Sequence, residues 1–140
     1  MGVPSLDVLA VNAEDSGCDQ ICTICDARRN LVYGCLYTVK NGQLKRKSQY
    51  LLASINDILR KVKGKVCFLG DGIKLYEAEI RKHKSGEGEK FFPVFADESA
   101  LYPKAACLAR LALKRFQDQE FDDVNDIVPL YLYPDDCQVR

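Results

Sequence analysis

The chain has no tryptophan, one methionine and a single histidine, His83. A histidine-rich metal centre is therefore excluded, and a Cys–His catalytic pair would depend on one imidazole in a polar loop. Neither sign of charge is in excess: 20 Lys plus Arg balance 20 Asp plus Glu. No overall field draws the molecule to nucleic acid or to an anionic membrane, so any such attraction is local. No apolar run approaches the roughly 20 residues that span a bilayer. Met1 to Leu9 lacks both a basic region and a long apolar stretch, so neither membrane insertion nor export is expected. Gly2 follows Met1, but Leu6 stands where a myristoylation signal needs Ser or Thr. With 9 Gly and 5 Pro, the chain is neither fibrous nor low in complexity.

What is present is a globular composition. Hydrophobic residues make up 47% and charged residues 29% of 140 positions, which suits one domain around one core. Seven cysteines, an odd number in a chain without an export signal, point to reduced thiols in a cytoplasmic setting. Cys35, Cys67 and Cys107 fall inside apolar patterns, where they act as small hydrophobes.

Periodicity orders the elements. Leu6, Leu9, Ala10 and Ala13 are helix-spaced and run into the polar break Glu14-Asp15-Ser16-Gly17. Ile21 to Ala27 and Leu31 to Val39 read as strands, the second with Tyr33, Cys35, Tyr37 and Val39 on one face. Asn41-Gly42 supplies the positive φ angles of a type I′ hairpin, so Gln43 to Leu52 is expected to return antiparallel. Ser54 with Asp57 begins a capped helix carrying Ile55, Ile58, Leu59 and Val62. Val66 to Leu69 is a buried strand ended by Gly70-Asp71-Gly72, and Ile73, Tyr76 and Ile80 mark a helix. A polar loop over His83 to Lys90 precedes a strand over Phe91 to Ala96. Pro103 suits the first turn of a last helix whose stripe is Ala105, Leu108, Leu111, Ala112 and Phe116. The tail from Phe121 is acidic, then apolar over Ile127 to Tyr133, and is expected to dock as an extended segment.

Three meandering strands followed by alternating helix and strand is the connectivity of ribonuclease H-like sheets, repeated in actin-like two-lobed ATPases. The expected fold is thus α/β: a mixed five-stranded sheet with helices on both faces, residues 18–140 forming a single lobe with an extended C-terminal tail. Topology alone assigns no function.

Each candidate site has a simpler counterpart. Cys18, Cys22 and Cys25 have a C-x3-C-x2-C spacing that could hold an iron–sulfur cluster, but within a strand Cys22 and Cys25 point to opposite faces and merely pack. Asp26, Asp71 and Asp97 follow three strands, where a magnesium-dependent nuclease would gather two metal ions; Asp71 between glycines also suits a plain turn. Gly70-Asp71-Gly72 ahead of a helix could bind an anion through backbone amides. Lys40 to Lys65 holds eight basic residues and one acid, while Asp118 to Asp136 holds seven acids and no base. The basic stretch could meet an RNA backbone, yet a single aromatic, Tyr50, is no interleaved stacking series, and lysines also shield an edge strand.

Asp26-Ala27-Arg28-Arg29, Val32-Tyr33, the Gly70-Asp71-Gly72 turn before a tyrosine-bearing helix, Pro103 with Ala105 and Leu108-Ala109, and Pro129-Leu130-Tyr131-Leu132 occur in one order. In that order they resemble the second half of the bacterial TsaB (YeaZ) family, and Gly2-Val3-Pro4-Ser5-Leu6 leading to Ala10 resembles the helix joining that family's two lobes. The resemblance implies that residues 1–17 link towards a first lobe absent from this sequence. It also implies a role in making threonylcarbamoyladenosine beside the tRNA anticodon. TsaB-type proteins resemble the metal- and nucleotide-binding TsaD subunit, have lost its ligands, and scaffold TsaD and the TsaE ATPase. A catalytically inactive cytoplasmic partner is implied, with no cofactor or metal of its own, meeting tRNA indirectly. Two positions depart from the family: Tyr133 stands where Arg is common, and Asn30-Leu31 where Gly-Glu is common. Arg28 and Arg29 are candidate forks for carboxylates of a partner or of the acidic tail. Leu6 and Leu9, with Tyr131 and Tyr133, are expected to face a partner or a second copy of the chain.

Overall fold

The computed structural model describes residues 1–84 and 90–133. Its centre is a six-stranded mixed sheet. β1 (Gln20–Asp26) lies between β2 (Val32–Lys40), antiparallel to it, and β5 (Gly64–Leu69), parallel to it. β3 (Gln43–Arg46) and β4 (Leu51–Ala53) both pair antiparallel with β2, and β6 (Phe91–Phe95) runs parallel to β5. The helices are α1 (Ser5–Val11), α2 (Ile55–Leu59), α3 (Ile73–Lys82) and α4 (Ala105–Gln117), with a short 3-10 turn at Glu98–Ala100.

Local chemistry explains most of these elements. Lys40 pairs with Gln43 across Asn41 and Gly42, whose φ angles of 52° and 70° make the tight hairpin. Ser54 caps α2 by accepting the Asp57 amide at 3.2 Å and donates its own hydroxyl to the Asp57 carboxylate at 2.7 Å. The expected return strand from Gln43 to Leu52 is interrupted, so the sheet has six strands rather than five. At the break Lys47 and Ser48 both donate their amides to the Leu36 carbonyl, and Ser48 Oγ accepts the Leu36 amide at 3.0 Å. Two residues thus face one, which is the geometry of a bulge.

The core lies on both sides of β1, β2 and β5. Alternation along β2 separates the layers: Tyr37 reaches Asp7 of α1, whereas Gly34, three positions earlier, lies under Ile58 of α2. Leu9, Ile21, Ile24, Ile58, Phe68 and Ile80 are fully enclosed. The last helix departs from its expected role. It rests on α1 through the Cys107 thiol, 3.2 Å from Asn12 Oδ1, and through Arg110, paired with Glu14. Leu108 and Phe116 of the expected buried stripe are exposed, as is Leu113, because α4 packs on one short helix rather than on a sheet face. Residues 85–89 of the polar loop and 134–140 of the tail lie outside the described residues.

Candidate functional site

The C-terminal ends of β1 and β5 are where the alternative nuclease reading would gather its metal ligands. There Asp26 and Asp71 do meet, but their oxygens are used within the chain. Asp71 Oδ1 accepts the Asp26 amide at 3.1 Å. Asp26 Oδ1 accepts the Arg28 amide at 2.8 Å, and its other oxygen lies 3.3 Å from the Arg28 guanidinium. Asp97, expected as a third ligand, precedes the 3-10 turn, where its carbonyl accepts the Ala100 amide. Among the described residues no group of three or more His, Cys, Asp or Glu could hold a metal ion. The Asp26, Asp71 and Asp97 nuclease reading is thereby corrected: two carboxylates brace a turn, and the third does not complete a metal-binding group.

The Gly70-Asp71-Gly72 turn is also not an anion cradle. A Cβ on Gly70, at φ +114°, would sit 2.1 Å from the Ile24 carbonyl oxygen, and one on Gly72 would sit 3.0 Å from it. Glycine is needed because this turn presses on the β1 backbone. The first amides of α3 are engaged: Gly72 donates to Ile24, Ile73 to Gly70 and Lys74 to Asp71. None of these three faces outward with a free donor, so the anion-binding expectation fails.

The cysteine triplet packs. Cys22 is fully buried at mid-strand, and burial pushes its thiol far above the ordinary range. Cys25 points to the opposite face, and burial, with the Asp71 charge second, pushes it up to about 12. Cys18 is buried just before β1. Thiols held protonated like those of Cys22 and Cys25 are poor metal ligands and poor nucleophiles.

At the β1–β2 turn Arg28, Arg29 and Asn30 adopt φ of 64°, 52° and 58°, three consecutive left-handed residues without a glycine. The Arg28 side chain pairs with Asp26, two residues back. The tail does reach this turn, through an aromatic side chain. Tyr133 donates its hydroxyl to the Ala27 carbonyl at 2.6 Å and stands edge-on to Tyr33, with ring centres 6.1 Å apart. Earlier in the tail, Asp122 accepts the Gly2 amide at 2.6 Å and lies 3.3 Å from Arg115. Between this tail and the N-terminal segment is a cleft of about 830 Å³, lined by Val3, Pro4, Leu6, Cys25, Tyr33 and Leu130 among others.

Of the six expected partner or tail contacts, Arg28 pairs with Asp26 and three more are engaged within the chain. Leu6 and Leu9 are in the core of this chain, and Tyr133 is bound to Ala27. Burial of α1 against β1 and β2 is the reason: the helix closes one face of the sheet by itself. Tyr131 is 79% exposed, beside exposed Val128 and Leu130. On the outer side of α4 Leu113 and Phe116 are also exposed, and Phe121 packs edge-on against Phe116.

One polar cluster was not foreseen. The Asp7 carboxylate accepts the Tyr37 hydroxyl at 2.7 Å and the Tyr50 hydroxyl at 2.6 Å, and the Arg46 guanidinium lies 4.5 Å above the Tyr50 ring. Burial first, and the negative Asp7 also, raise both phenols well above the ordinary tyrosine value. An acid in a first helical turn reads as a partner of the helix dipole, so nothing in the sequence marked Asp7 out.

No family model matches the sequence, and no curated protein matches it. Solved structures do match the backbone. One is YeaZ from Pseudomonas aeruginosa, at TM-score 0.69 and 23% identity, covering 94% of this chain and 58% of that one. Another is an uncharacterized protein with similarity to peptidase YEAZ, also from Pseudomonas aeruginosa, at TM-score 0.69 and 19% identity, covering 94% and 57%. This chain has a YeaZ-like fold. It spans somewhat under three fifths of the length of those two proteins. Among the described residues no helix is long and apolar enough to cross a membrane.

Proposed function

We propose that this chain is a non-catalytic partner subunit of the machinery that makes threonylcarbamoyladenosine in tRNA, acting as a TsaB-like second lobe of ribonuclease H-like, actin-like architecture. The observation that carries the reading is the YeaZ-like backbone over 94% of the chain. Two features support it. The carboxylates where a related fold would bind metal or nucleotide are spent on turn bonds. The face of α4 and the tail leaves Leu113, Phe116, Val128 and Tyr131 uncovered, a surface suited to another protein.

In this role the chain works in the cytoplasm by holding a TsaD-like transferase and a TsaE-like ATPase. The test is assembly: tagged chain is mixed with the TsaD-like and TsaE-like proteins of its own host, with and without an actin-like first lobe added in trans, and complexes are separated by size. A complex that is lost on Phe116→Glu is expected. Failure to associate even when the first lobe is supplied refutes the proposal.

A further inference from the structure

The tail is a strap tied at two points. Asp122 holds its first part to the Gly2 amide and to Arg115, and Tyr133 holds its last part to the Ala27 carbonyl and the Tyr33 ring. Between these ties the cleft of about 830 Å³ stays open. Its walls are mostly apolar, with Val3, Pro4 and Leu6 from the N-terminal segment and Ile127, Leu130 and Leu132 from the tail.

A cavity of this volume suits a small molecule, which such a site encloses over most of its surface. Here the apolar character continues past the walls. Val128 and Leu130, which line the cleft, are 75% and 59% exposed, and their neighbour Tyr131 is exposed as well. An occupant that covers this lip extends beyond the cleft, as a segment of another protein does and an enclosed metabolite does not.

Charge narrows the kind of segment. No Lys, Arg or His lines the cleft, and no base occurs from Gln117 to Tyr133. Arg115 of α4 answers Glu120 and Asp122. Asp118, Asp123 and Asp126 are exposed and have no ion-pair partner among the described residues. On the sheet side Arg46 stands over the Tyr50 ring, so the acidic character belongs to the tail edge alone.

We propose that this cleft seats an apolar segment of a partner protein, with a basic end of that segment along Asp118, Asp123 and Asp126. The source of the segment rests on the partner role proposed above; the apolar walls and the acidic edge do not. Buried apolar side chains supply the affinity of such a contact, and the charges set its direction.

The probe is a fluorescein-labelled synthetic peptide of about 14 residues, leucine-rich at one end and lysine-rich at the other, and its binding to the full chain is followed by anisotropy. Saturable binding to a single site is expected. Ser5 is exposed on the cleft wall, and Ser5→Trp should fill part of the cleft and weaken binding about 10-fold or more. Val128→Glu on the lip should cost about 5-fold or more, and it decides the matter if Ser5→Trp melts early. Asp123→Lys with Asp126→Lys should cost about 5-fold or more at about 50 mM salt and much less at about 500 mM. Leu75→Glu, at an exposed leucine of α3, should change nothing.

No saturable binding overturns the proposal, as does unchanged affinity in folded Ser5→Trp and Val128→Glu or an equal loss in Leu75→Glu. A peptide with glutamates for lysines that binds as tightly overturns the acidic edge, and one with serines for leucines that binds as tightly overturns the apolar walls. Nile red held in the cleft against excess peptide makes this a small-molecule site and also overturns the proposal. Assembly with the TsaD-like and TsaE-like proteins is measured separately. Assembly kept in Ser5→Trp while peptide binding is lost refutes this seat alone, whereas no assembly of the unaltered chain with peptide binding kept refutes the partner role alone.

Discussion

Replacing Asp7 by Ala removes the acceptor shared by two tyrosines and tests whether α1 is held to the sheet by this contact. Tyr37 is 2% exposed and donates to Asp7 at 2.7 Å; Tyr50, half-buried, donates at 2.6 Å. Each is a hydrogen bond to an ionised group, of the kind that contributes about 1.5–3 kcal/mol. Tyr50 can turn to water and so contributes at the low end. The enclosed Tyr37 hydroxyl has no such recourse and carries the cost of an unsatisfied buried donor, about 1–3 kcal/mol. Together they place the loss at about 2–4 kcal/mol. For a chain of this size that lowers the melting temperature by roughly 6–12 °C. Urea unfolding followed by circular dichroism measures the change. Tyr37→Phe in the Asp7→Ala background removes the stranded donor and should restore part of the loss, so the double-mutant cycle isolates the contact. A cost below about 0.5 kcal/mol for Asp7→Ala, or no recovery in the double variant, refutes the reasoning.

Tyr37 and Tyr50 have folded pKa values above their unfolded ones, so their contribution to stability is complete below the ordinary tyrosine value near pH 10 and is lost as pH rises beyond it. Absorbance at alkaline pH should show these two of the seven tyrosines titrating late, in step with unfolding; ordinary titration of all seven contradicts the burial. Gly70→Ala should prevent soluble expression or cost several kcal/mol, because its Cβ meets the Ile24 carbonyl at 2.1 Å and φ is +114°; a folded variant of unchanged melting temperature counts against the close approach. Asn30→Gly, at φ 58°, should stabilise by about 0.5–1 kcal/mol, read as a melting temperature roughly 2–3 °C higher. The uncovered side of α4 predicts reversible self-association at micromolar concentration, abolished by Leu113→Glu with Phe116→Glu; sedimentation showing a compact monomer at all concentrations removes that expectation.

The two departures from the TsaB pattern acquire different physical meanings. Asn30 occupies a left-handed position that glycine adopts without strain, so the departure costs backbone energy but leaves the turn in place. Tyr133 reaches the turn by a neutral hydroxyl on the Ala27 carbonyl, a contact that an arginine could also donate. The carboxylate pair below that turn was legible as two acids at strand ends. That they spend their oxygens on Arg28 and on the Asp26 amide was not, since it depends on β1 and β5 lying side by side.

Features set within a few residues were readable from the chain alone. Asn41-Gly42 required a tight hairpin, Ser54 with Asp57 a helix start, and Ile73, Tyr76 and Ile80 a helix, because dihedral preference, capping and side-chain period act over one or two turns of backbone. Even the mismatch of Cys22 and Cys25 with a metal cluster followed from alternation along one strand. Other outcomes needed the folded chain: the bulge at Ser48, the joining of Asp7 to Tyr37 and Tyr50, the outward roll of α4, and the meeting of Phe92 with Lys65. Each depends on partners 12 to more than 40 positions away, or on the absence of a layer above a helix. Parallel pairing of β5 with β6 sets Phe92 beside Lys65, because a sheet brings distant residues into register.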